Sequence, residues 1–218
     1  MAIAIAIVGL YVRGYARFCR FFLTYLMTVL FVGLLMTLWP DRFYSQQFWI
    51  LQHVVFDALK LATVLELGYW IFLGFPGAAQ TARSTLFLFL VGTLVAVVML
   101  PHETLAADGT GSVLLGALRP RLETAMVFMF TALAALIVWY RIPVHPVHMG
   151  IIIGFVPYLT VFTTVVRFLS IYGLDERINT LGPAAYLLAC SWWAVVAWRR
   201  APAVAPVIAR LQPWRVAA

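Results

Sequence analysis

Long apolar runs alternate with short breaks bearing arginine and proline along the whole chain. The runs cover residues 1 to 12, 21 to 39, 48 to 75, 85 to 101, 123 to 140, 149 to 173 and 180 to 198. Stretches such as Phe21 to Trp39 are apolar on every face, whereas strands of a closed barrel would alternate apolar and polar over about 10 residues. The pattern predicts an all-α fold, a polytopic transmembrane helix bundle of seven helices. The first run is short. Its length gives a rise of only about 18 Å against a hydrocarbon core of about 30 Å. It must borrow from residues 13 to 20, thin the bilayer or lean on neighbours, and the count is six if it does not span.

Pro40, Pro76 with Gly77, Pro101, Pro143 with Pro146, and Gly173 fall in the predicted turns. Asn179 reads as the cap of the last helix, with Pro183 in or just after its first turn. The longest predicted loop, His102 to Arg121, has a flexible tip at Asp108 to Ser112. Residues 1 to 198 form one transmembrane domain. Residues 199 to 218 hold three prolines, four arginines and Trp214, a mixture that cannot be one regular helix and reads as an interfacial strap.

The loops also predict direction. With the N-terminus outside, Arg13, Arg17, Arg20, Arg83 and Arg141 face the cytoplasm, as do Arg199, Arg200, Arg210 and Arg215. Arg42, Arg119, Arg121 and Arg177 lie outside. The excess on the first side predicts N-terminus outside and C-terminus cytoplasmic. The opening run precedes its first positive charge, unlike a secretory signal, and is expected to remain as a helix.

Composition sharpens this picture. The 218 residues are 64% hydrophobic and 11% charged, with a mean hydropathy of +0.98. The net charge of +7 is scattered over short loops, so it forms no basic domain for nucleic acid and points to anionic headgroups at the cytoplasmic face. Cys19 and Cys190 lie too far apart in the pattern for a structural disulfide.

Candidate chemistry lies where ionisable residues interrupt apolar runs, because a charge in lipid is costly unless paired or wetted. Asp57, Lys60, Glu66 and Arg167 are such residues. His53, Asp57 and Lys60 recur at i, i+4 and i+7, on one helical face. Thr160, Thr163, Thr164, Arg167 and Ser170 form a second stripe, and two polar stripes in a bilayer are expected to face each other. Counting about 1.5 Å per residue puts Asp57 about 6 Å and Arg167 about 9 Å into the same outer half, which predicts a contact between them. The cluster is either a charge network fixing helix rotation or the lining of a wet cavity for a polar ligand, an anion or a proton path.

Glu66, on roughly the opposite face from Asp57, is predicted to be an isolated buried acid. It is expected to be protonated and bonded to Thr63 or a neighbour, or to face a partner or ligand. Gly150 and Gly154 permit close helix approach, and Pro157 permits a kink or hinge. His145 and His148 make an incomplete metal set, so no metal site is predicted. Ser191 and Cys190 have no histidine at their depth, so no catalytic residue is predicted and the chain is not expected to be an enzyme. No cofactor can be named.

Phe48 to Trp70 with the approach Pro40-Asp-Arg-Phe-Tyr, Glu66, Arg121-Leu-Glu123, and Gly150 to Pro157 resemble a loose group of bacterial seven-helix membrane proteins. That group has no assigned activity, so the resemblance implies a fold and a bacterial inner membrane. The expected function is action through intramembrane contacts, as an accessory or scaffold subunit or a partner-coupled sensor, with other membrane subunits or a homo-oligomer as partners. The alternative is a small transporter or channel.

Overall fold

The structure, a computed structural model, describes residues 1–73, 84, 88, 92, 111–139, 144–172 and 176–199. Its regular elements are α1 (Ala2–Val12), a 3-10 turn (Tyr15–Arg17), α2 (Arg20–Leu38), α3 (Pro40–Phe43), α4 (Gln46–Leu73), α5 (Gly111–Trp139), α6 (Pro146–Tyr172) and α7 (Glu176–Trp198). All are helical. Among them α2, α4, α5, α6 and α7 are long and apolar enough to cross a membrane, as expected of an integral membrane protein. At 11 residues, α1 is too short to cross alone, and it leans on α7.

Local chemistry explains several boundaries. Pro40 opens α3, where its missing N–H costs nothing. Ser45 precedes α4, and its Oγ accepts a hydrogen bond from the Phe48 N–H at 3.3 Å, the usual capping geometry. Gly14 takes a left-handed φ of 72° between α1 and the 3-10 turn, a conformation that glycine adopts without strain.

Two boundaries differ from the expected ones. Helix α5 starts at Gly111 rather than near residue 123, so Gly111 and Ser112 are helical rather than a loop tip, and Pro120 lies inside the helix. Helix α7 starts at Glu176, which places Asn179 inside it and Pro183 in its interior. Asn179 is expected as the cap and Pro183 in or just after the first turn, so the last helix begins earlier than its capping residues suggest. In both helices the sequence before the proline is helix-competent, and one lost backbone bond does not stop the chain from continuing. The predicted helix at 85 to 101 lies outside the described residues except for positions 88 and 92, which are helical. The tail from residue 200 also lies outside them.

The described helices pack in a ring: α1 on α2, α2 on α4, α4 on α5, α5 on α6, α6 on α7, and α7 back on α1. At its centre Phe155 meets Phe130 at 4.8 Å and Trp193 at 4.7 Å between ring centroids. Phe22 and Tyr25 of α2 close over the same cluster. These aromatic groups bury large areas and lock against one another at few rotamers, so they set the helix spacing.

Glycines let α6 and α7 approach. A Cβ on Gly150 would overlap Val196, and one on Gly154 would overlap the Trp193 indole. The Trp192 Nε1–H donates to the Gly150 carbonyl at 2.9 Å. The Gly150 and Gly154 face is therefore filled from within the chain. Pro157 sits on the exposed side of a helix that runs unbroken through it. Helix α1 runs beside α7 in the same direction: the amino group of Met1 lies near Cys190, and the Trp198 Nε1–H donates to the Ile5 carbonyl at 3.1 Å.

Candidate functional site

The inward stripe of α4 reads Asp57, Lys60, Val64, Leu67 and Ile71, all buried. This 3-and-4 spacing keeps one face toward the ring centre, and the stripe turns from polar to apolar along the helix. Lys60 Nζ donates to Asp57 Oδ1 at 2.9 Å. The ion pair at Asp57 is thus made one turn along the same helix rather than across to Arg167. A charge pair closed within one helix needs no facing partner, which is why depth matching misled.

The second polar stripe also points elsewhere than expected. Thr160, Thr164 and Arg167 are exposed, and Thr163 is half-buried. Thr160 Oγ1–H donates to the Val156 carbonyl at 2.7 Å, and Thr164 Oγ1–H to the Thr160 carbonyl at 2.8 Å. Hydroxyls that bond back one turn are satisfied by their own helix and can face lipid. His53 is half-buried against the edge of Trp49, with ring centroids 4.3 Å apart. Of the predicted cluster, the structure brings Asp57 and Lys60 together and keeps Thr160, Thr164 and Arg167 off the interior.

Other residues occupy the place those were expected to fill. Glu123 on α5 is 1% exposed, and both it and Tyr158 on α6 lie within electrostatic reach of Lys60. Tyr158 packs on Tyr186 of α7 at 5.2 Å. The Tyr186 hydroxyl sits beside Tyr25 and Cys190 without completing a well-formed hydrogen bond to either. Among the described residues the interior thus carries one ammonium, two carboxyl groups and a tyrosine cluster spread over α2 and α4 to α7. Sequence reasoning missed Glu123 because it heads its apolar run and looked like a rim residue. Its distance from the start of α5 is the feature that places it inside.

Glu66 is not isolated. Its two carboxylate oxygens accept the Arg20 and Phe21 N–H groups of α2 at 2.8 and 2.9 Å. The first turn of any helix presents unpaired N–H groups and a partial positive charge, and Glu66 supplies both the acceptors and the opposite sign. Cys19, at the N-cap position, makes no side-chain cap of its own. Thr63 bonds instead to the Leu59 carbonyl at 2.7 Å. The expectation of a lone acid failed because a helix terminus is a cation-like partner that residue charges do not reveal.

Around this cap the end of the bundle is closely tied. His148 Nε2 lies 3.1 Å from the Phe18 carbonyl. His145 packs on Tyr15 at 5.3 Å and stacks on Phe18 at 6.3 Å. Burial lowers the His145 pKa from its ordinary value. Burial, aided by the nearby Glu66 carboxylate, pushes the Cys19 thiol up to about 12, which favours its protonated form at neutral pH. Among the described residues no three His, Cys, Asp or Glu side chains converge as metal ligands would.

The chain matches no family model, no curated protein and no solved structure. The reading of its function rests on this geometry.

Proposed function

We propose that the protein acts through intramembrane contacts, as an accessory or scaffold subunit of a bacterial inner-membrane assembly or as a sensor coupled to a partner, and that it carries no reaction of its own. The observation that supports this reading is the far half of the α2 and α4 pair, away from the Glu66 cap. There Phe31, Leu34, Leu38, Trp39, Tyr44 and Trp49 all stay exposed. The interior charge pair, by contrast, is closed within α4. A bundle whose buried ammonium is paired within its own helix and whose large apolar side chains stay outside suits association better than turnover.

Purification from native membranes in mild detergent, followed by native mass spectrometry and an absorbance spectrum, tests this. Stoichiometric co-purifying subunits are expected, and a solitary, colourless chain would sink the reading. The second reading, a small transporter, draws support from the buried Lys60, Asp57 and Glu123 group. It requires solute or proton flux from the chain reconstituted alone, lost in Lys60→Met while the fold persists.

A further inference from the structure

The end of the bundle that holds the Glu66 cap also gathers Arg13, Arg17, Arg20 and Arg199, all exposed. Its acid among the described residues, Glu66, is engaged by the α2 N-terminus, so the arginines are left with excess positive charge. Two of them are held in place. Arg13 Nη2 donates to the Trp198 carbonyl at the end of α7 at 3.3 Å. The Arg199 guanidinium lies over the Trp192 ring, 5.8 Å from its centre. Arg17 projects from the 3-10 turn between α1 and α2. From this charged edge, one face of α1 runs into the apolar zone through Val12, Val8 and Ile5, which are 66%, 50% and 49% exposed.

We propose that Arg13, Arg17 and Arg199 bind the phosphate headgroup of an anionic phospholipid, with an acyl chain along the Ile5, Val8 and Val12 face of α1. The inference rests on the reading of the chain as a membrane protein. Charge complementarity selects the ligand: three exposed arginines at one end, two of them held against the last helix, with an apolar strip of α1 leading away from that end, match a headgroup phosphate joined to hydrocarbon. A half-length α1 gives the acyl chain a shallow ledge against α7. The Trp198 indole ties the two helices beside this strip, donating to the Ile5 carbonyl.

The test reconstitutes the full chain into nanodiscs of phosphatidylcholine alone or mixed with phosphatidylglycerol, and reads retained lipid by native mass spectrometry and melting temperature. The wild-type chain is expected to retain phosphatidylglycerol and melt higher in the mixture. The triple variant Arg13→Gln, Arg17→Gln, Arg199→Gln should lose affinity by about fivefold per charge yet melt like the wild type in phosphatidylcholine. Arg42→Gln, remote from this end, should retain the lipid. If the triple variant does not fold, Arg17→Gln alone carries the test, with about a fivefold loss expected. Equal retention by the arginine variants would overturn the site. So would an equal rise in melting temperature on adding inorganic phosphate to phosphatidylcholine discs. A chain that enters neither kind of disc would overturn the membrane reading itself, a failure distinct from the other two.

Discussion

The end of the bundle around Glu66 and the far halves of α2 and α4 are built from similar apolar sequence, but they are held by different means. At the first end, side chains reach across to other helices: Glu66 to α2, His148 to the Phe18 carbonyl, Trp192 to Gly150 and Trp198 to Ile5. In the far half of α2, Thr37 bonds the carbonyl of Gly33, on its own helix. Lipid is as apolar as leucine, so hydrophobicity does not distinguish contact with a helix from contact with an acyl chain. Close backbone approach and hydrogen bonds between helices therefore decide where the bundle is rigid, and the far half is left open to lipid or a partner.

Glycine substitution should separate the two regions most sharply. Gly154→Leu drives a side chain into Trp193 and is expected to abolish the folded, monodisperse protein in detergent. Gly33→Leu, with nothing within 4 Å of a Cβ, should fold as well as the wild type. Comparable yields from the two variants would mean that the α6 and α7 contact is not the organising one.

The interior pair comes next. Removing one partner with Lys60→Ala leaves a buried charge and should cost about 3–5 kcal/mol, read as a lower unfolding midpoint. Replacing both, Asp57→Leu with Lys60→Met, should recover most of that loss. A double variant as weak as the single would show that the charges have partners beyond each other.

At the cap, Glu66→Ala should cost about 2 kcal/mol, since two helix N–H groups lose their acceptors. Faster hydrogen exchange at Arg20 and Phe21, with no change at Thr37, would confine the effect to this end. Uniform acceleration would contradict the division into regions.

The smallest effects belong to pH and to lipid-facing hydroxyls. His145 titrates lower when folded than unfolded, so protonation favours the unfolded chain. Its contribution is fully present above the ordinary histidine value of about 6.5 and is lost as pH falls from there toward the lowered folded value. His145→Phe should flatten that acid slope in thermal unfolding. Thr160→Val with Thr164→Val should change stability by less than about 0.5 kcal/mol, and a larger loss would place that stripe against a helix rather than lipid.

Much of the site was half legible. The position of Asp57 and Lys60 on one inward face follows from their spacing, because helical geometry fixes which residues share a face. The direction of the Thr160, Thr164 and Arg167 stripe did not follow, because periodicity gives a face but not what lies opposite it. Glu66 was found as an unusual acid but assigned no partner, since its partner is the backbone of another helix and carries no residue signature. Glu123 was missed through a boundary drawn at the first apolar residue.

The sequence alone determined the all-helical, membrane-spanning class, because runs apolar on every face and about as long as the bilayer core is thick satisfy their backbone hydrogen bonds within a helix. It also grouped Arg13, Arg17, Arg20 and Arg199 at one end, where the structure has them, since short loops leave successive helices little freedom but to alternate. Tertiary structure decided the rest: which glycines meet which tryptophans, that Asp57 pairs along its own helix, and that Glu66 closes the start of α2. Each of these depends on the rotation and approach of helices whose exteriors are equally comfortable in lipid, and only the packed bundle sets those two quantities.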